Sequence, residues 1–125
     1  MSTNDARVKR AEQVTWNEVK AGTATRTQVL LGPDDHMPNF AMRRFRMEAG
    51  GGMPLHTNAV EHEQYVLSGR AKVRIGGDVH EVHEGSVLYI PAGAPHSYEV
   101  IEAPFEFLCM VPNREDRIEI VDPSC

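Results

Sequence analysis

The chain is written in short apolar runs that suit strands and not helices. "TQVLLG", "NFAMRRFRM", "EHEQYVLS", "AKVRIG", "VHEVH", "SVLYIP", "HSYEV" and "FEFLCMV" follow one another from Thr27 to Val111. Each is rich in β-branched or aromatic residues, and each is bounded by Gly, Pro, Asn or Asp. No sustained helical stripe follows residue 25. Such a series makes an all-β sandwich or barrel. Within it, "IGGDV" from Ile75 to Val79 reads as a tight hairpin turn whose glycine supplies the positive φ angle. Residues 1–25 are polar, with Trp16 and Val19 as the bulky apolar anchors, and are expected to form a mobile N-terminal arm that docks late onto the domain. The barrel is expected to span residues 26–113, and residues 114–125 a C-terminal tail.

With 125 residues, 41% of them hydrophobic and 25% charged, the chain can bury one core and form one domain without staples. A formal net charge of -5 leaves no basic stripe for counterion release, so no nucleic-acid partner is expected. No apolar run approaches the roughly 20 residues of a membrane span. The opening "MSTNDARVKRAEQVTW" lacks the apolar stretch of a secretory signal. Cys109 and Cys125 form no pattern and read as free thiols in a reducing cytoplasm.

Strand alternation sorts the side chains. From His62 onward, His62, Gln64, Val66 and Ser68 share one face, and Glu63, Tyr65 and Leu67 share the other. In "FEFLCMV", Phe105, Phe107, Cys109 and Val111 oppose Leu108 and Met110. Both faces of both runs carry apolar residues. A cover for the outer face is therefore expected, from a homodimer packed around Tyr65 and Leu67 or from the N-terminal arm.

The inner face leads to chemistry. Gly50, His56, Asn58, His62 and Gly69 are followed by Gly85, Pro91, Gly93 and His96. This spacing closely resembles the two sequence motifs of the cupin superfamily, over roughly residues 27 to 112. The second motif, "GSVLYIPAGAPH", matches at every fixed position up to the histidine; its closing asparagine is replaced by Val100. The resemblance implies a cupin jelly-roll barrel with an inward metal site. Asn58 stands where the first motif has its second histidine, and His62 where it has its glutamate. A histidine at that place is similar to four-histidine, manganese-binding monocupins. Carried over position by position, the resemblance makes His56, His62 and His96 the metal ligands and Asn58 the fourth candidate, which either coordinates weakly through its oxygen or holds a metal-bound water as a tuning position.

The residues agree with three of these. His56 and His62 lie on neighbouring strand segments, and a Pro-Gly turn aims His96 inward. Three neutral imidazoles suit manganese or iron, and also zinc, nickel or copper. Without a carboxylate ligand such a site should attract a small anionic or enolate-like substrate, with coordination positions left open for it. The alternative is a metal-free barrel whose inward histidines are hydrogen-bonded core residues. Arg43 shares a face with Phe45 and Met47, and either reaches a substrate carboxylate or pairs with Glu or Asp at the barrel rim. Gln64 either contacts a ligand or orients a histidine. Phe107 and Cys109 face inward; a buried cysteine is also simply a small apolar residue. His36, His80 and His83 sit among Asp and Glu and read as solvated. The leading function is a mononuclear metal-dependent, dioxygenase-like oxidoreductase. A non-enzymatic small-molecule or metal-binding module is the second reading. A metal-free sugar epimerase or isomerase comes last, because no inward carboxylate pair is evident.

Overall fold

The computed structural model describes residues 6–121. Eight antiparallel strands build the fold. In chain order they are β1 (Asn17–Glu18), β2 (Thr23–Leu31), β3 (Phe40–Asn58), β4 (His62–Ile75), β5 (Asp78–His83), β6 (Val87–Ile90), β7 (His96–Pro112) and β8 (Ile118–Ile120). The hydrogen-bonded order is β1-β2-β3-β7-β4-β5, with β6 on β4 and β8 on β3. The turn read at Ile75–Val79 joins β4 to β5, where Ile75 pairs with Asp78 and Gly76 takes φ 61°.

β3, β4 and β7 are long because each bends to serve both halves of the roll, and the bends are register shifts. In β4 the buried residues are His62, Gln64 and Val66, then Ala71 and Val73. The inward phase has slipped by one residue, as a bulge requires. The slip lies between Val66 and Ala71, around Gly69. Gly69 has φ 78°, and a Cβ there would stand 2.3 Å from the Pro104 carbonyl oxygen. Only glycine fits. Ser68, expected inward with His62, is half-buried, and its hydroxyl donates to the Pro104 carbonyl. A second slip separates Met53 from His56 in β3. It brings His56 and Asn58 to the buried side, where His56 pairs with His96 of β7.

The core collects Met47, Val66, Val73, Ile90, Phe105 and Phe107 from β3, β4, β6 and β7. The two terminal segments correct the expected boundaries. β2 begins at Thr23, inside the segment expected as an arm, because Thr23 and Thr25 pair with Gly52 and Met47. The arm itself is docked: Gln28 Nε2 donates to the carbonyls of Ala11 and Val14. Trp16 stacks under the guanidinium groups of Arg26 and Arg44. The expected tail contributes β8, which pairs Ile118 with Asn58 and Ile120 with His56. Cys125 lies outside the described residues. No helix among the described residues is long and apolar enough to cross a membrane.

Candidate metal centre

A cavity of about 270 Å³ opens inside the barrel. Its walls include His56, Asn58, His62, His96, Arg43, Gln64, Phe107 and Cys109, the residues singled out from the sequence. His36, His80 and His83 are exposed, away from it.

Two histidines have their tautomers set by the backbone. His56 Nδ1 lies 2.8 Å from the Pro54 carbonyl oxygen, and His96 Nδ1 lies 2.9 Å from that of Ala94. A carbonyl only accepts, so Nδ1 carries the proton in each ring and Nε2 keeps its lone pair. The two rings are 4.1 Å apart between centroids, and His62 stands 5.7 Å from His96. His62 Nδ1 is 3.2 Å from both Arg43 Nη2 and Cys109 Sγ, while its Nε2 is buried without a partner. Arginine can only donate, so Nδ1 either accepts from Arg43, which leaves the proton on Nε2, or donates to the sulfur, which makes Nε2 a third lone pair; a metal on Nε2 would require the second. Burial holds His62 down to about 3, with the Arg43 charge adding to it, and holds His96 down to about 4. Both imidazoles are neutral at ordinary pH, the state a metal ligand requires.

These donors fit a divalent transition metal by chemistry and by the orphaned Nε2 of His62. Among the described residues, no three His, Cys, Asp or Glu side chains already stand together as a closed metal-holding group. The histidines are assembled as a close pair with His62 further off.

The rest of the lining is mostly apolar, with Arg43 as its cation and Glu18, Thr27 and Gln64 among its polar residues. Phe107 is stacked between Phe45, at 5.1 Å, and Tyr98, at 5.4 Å. Gln64 Nε2 donates to the Tyr98 hydroxyl at 2.8 Å, so Gln64 is engaged inside the wall. Cys109 is free and fully buried, and burial raises its thiol above the usual range. Arg43 reaches across the pocket, over the Phe45 ring, and donates to Cys109 Sγ at 3.3 Å. It has no carboxylate partner among the described residues, so the rim ion pair weighed as its alternative is not formed. Its Nε is buried without a partner.

The sequence missed four contributors. Tyr98 lies two residues past His96 on the same strand, and alternation alone would have placed it inward. Val19 and Ile118 line the cavity from the two terminal segments. Asp116 is the fourth: its Oδ2 accepts from Asn58 Nδ2 at 2.8 Å. A carboxylate therefore stands directly behind Asn58, where none was expected.

Fold and pocket together define a class, an antiparallel jelly-roll barrel with histidines lining its cavity. The chain belongs to the cupin domain family, whose model matches residues 43–111. It is 32% identical over 63 residues to an uncharacterized protein of Streptomyces coelicolor, covering 50% of this chain and 60% of that protein. It is 32% identical over 75 residues to the oxalate decarboxylase OxdC of Bacillus subtilis, covering 56% of this chain and only 20% of that enzyme. Among solved structures, the polyketide cyclase RemF from Streptomyces resistomycificus superposes with a TM-score of 0.83 at 24% identity, over 95% of this chain and 89% of that one. A cupin 2 domain-containing protein from Halorhodospira halophila superposes with a TM-score of 0.75 at 29% identity, over 86% and 76%.

Proposed function

We propose that the chain holds one divalent transition metal, manganese or iron first, on His56, His62 and His96, and acts on a small anionic, oxygenated substrate. The observation that carries this reading is the buried, unpartnered Nε2 of His62 in the same cavity as two histidines whose Nε2 lone pairs are exposed by their backbone hydrogen bonds. When bound, such a metal supplies Lewis acidity and, for a redox-active ion, a site for dioxygen. The chain's own residues do the positioning. Arg43 offers a guanidinium with no carboxylate of its own, so a substrate carboxylate or enolate completes it. Phe45, Phe107 and Tyr98 give a flat apolar wall that excludes water and strengthens that pairing. OxdC is named for oxalate, a small dianion, which fits a cationic pocket of this size.

The named activities of similar proteins span decarboxylation and cyclisation, so oxygen activation is the part of the reading that most needs its own test. The decisive measurement is elemental analysis of chelator-free protein, followed by oxygen uptake and product analysis with aryl, diketone and small dicarboxylate substrates. Bound metal with oxygen consumed supports a dioxygenase-like oxidoreductase. Bound metal with substrate converted and no oxygen consumed supports a non-oxidative metal enzyme. Bound metal with no conversion supports the second reading, a binding module, which the engagement of Gln64 with Tyr98 inside the wall favours. Protein that takes up no metal overturns the proposal. The free, buried Cys109 fits a reducing compartment such as the cytoplasm.

A further inference from the structure

We infer that Asp116 decides which atom Asn58 presents to the histidine pocket, and so makes the Asn58 amide oxygen a fourth, neutral donor for a bound cation. The inference rests on the metal reading above and goes beyond it in assigning a role to the C-terminal segment.

The Asn58 side chain is a planar amide with two unlike ends. Asn58 is buried and lies on the same side of β3 as His56. Its Nδ2 is 2.8 Å from Asp116 Oδ2. A carboxylate only accepts, so the NH₂ end must face it; the reverse orientation would set two oxygens against each other. Oδ1 is thereby fixed at the opposite end of the amide. It is buried and has no partner. Buried carbonyl oxygens in folded proteins are nearly always paired. An orphaned one on the wall of a histidine cavity is an acceptor that lacks its cation or donor.

Asp116 is itself immobilised. Its Oδ1 accepts from the backbone N–H groups of Ala59 at 2.8 Å, Val60 at 3.3 Å and Arg117 at 2.8 Å. The Asn58 backbone carbonyl in turn accepts from Gly93 N at 2.8 Å, which ties this unit to the turn that carries His96.

Asp116→Asn isolates the effect. The three backbone N–H groups still demand an oxygen, so the new NH₂ end faces Asn58. Asn58 must then turn its oxygen toward it and show NH₂ to the pocket. Mn(II) and Co(II) affinities are measured by competition with a chelating dye, and the Co(II) absorption and Mn(II) resonance spectra are recorded on the full chain. Residues one step behind metal ligands typically change affinity by about 10–100-fold. The expected result is a loss of about tenfold in Asp116→Asn with an altered Co(II) spectrum, a similar loss in Asn58→Ala, and no further loss in the double variant. The melting temperature of metal-free Asp116→Asn should stay within a few degrees of the parent, since the backbone contacts are kept. A parent that loads metal while Asp116→Asn loads it equally tightly with an unchanged spectrum overturns this inference alone. Losses that add in the double variant overturn the link between the two residues. A parent that takes up neither ion overturns the metal reading and this inference with it.

Discussion

His62 and Glu63 are adjacent, yet the fold sends them to opposite faces. Glu63 shares a hydrogen bond with Glu61 that lifts its carboxyl to about 7. His62 turns into the cavity with its Nε2 free. Replacing His62 by Ala is expected to abolish stoichiometric metal uptake, while Glu63→Ala leaves it within about twofold; metal content per chain after dialysis decides between them. Asn58→His should restore a four-histidine set and tighten binding, because imidazole is the stronger donor for a transition metal. A chelator titration showing weaker binding in that variant would refute the place given to residue 58. At this scale the sequence was informative wherever spacing of two or four along a strand puts residues on one face: His56 with Asn58, and His62 with Gln64. It was silent about Asp116. That residue stands in "NREDR", a charged run with no period, and its role arises only because β8 folds back on β3. Nothing local to the run distinguishes Asp116 from Glu115.

A strand is where local pattern and tertiary demand meet, and β4 shows both. Its apolar alternation was readable as far as Val66; the bulge at Gly69 then shifted the phase, and no side-chain pattern announces such a shift. Gly69→Ala tests how much the bulge matters. A methyl there meets Pro104 O at 2.3 Å and Glu102 O at 2.5 Å, with φ at +78°. The expected cost is at least about 2 kcal/mol, from left-handed strain of roughly 1–3 kcal/mol plus the backbone clash. Gly76→Ala is the control: φ is +61°, but nothing lies within 4 Å of the added carbon, so only the strain is felt. Urea midpoints that move equally for both would show that the clash at Gly69 relaxes freely. The terminal elements were the least legible. β1 and β8 are two and three residues long and polar in part, too short to carry a period. They form because β2 and β3 offer open edges to pair with.

His62 and His96 make the metal-free chain sensitive to acid. Both titrate near 6.5 in an unfolded chain and are held down to about 3 and about 4 in the folded one. Below 6.5 the unfolded chain takes up protons that the folded chain refuses, so stability is full above about pH 7 and falls as the pH descends toward 4. At about 1.4 kcal/mol per pH unit, each histidine removes on the order of 2 kcal/mol by pH 5. Urea midpoints of chelated protein at pH 7 and 5 should differ accordingly, and a flat profile would contradict the burial argument. The outer surface carries a second consequence of the fold. The docked arm lies over β2 and β3, where Gln28 and Arg44 pair. The outer side of β4 and β6 stays exposed. There Tyr65 pairs with Val87 and Leu108, and Glu63 with Tyr89 and Met110. Tyr65 is 46% exposed, Val87 74% and Tyr89 57%. Contiguous apolar surface of this kind marks an interface, and a second copy using the same face closes it by two-fold symmetry. We propose that homodimer. Light scattering at micromolar concentration should give twice the chain mass, and Val87→Glu, which sets a charge in the middle of the patch without touching the cavity, should give a monomer that still binds metal. A parent that runs as a monomer would refute the dimer, and a dimer unmoved by Val87→Glu would show that it uses another face.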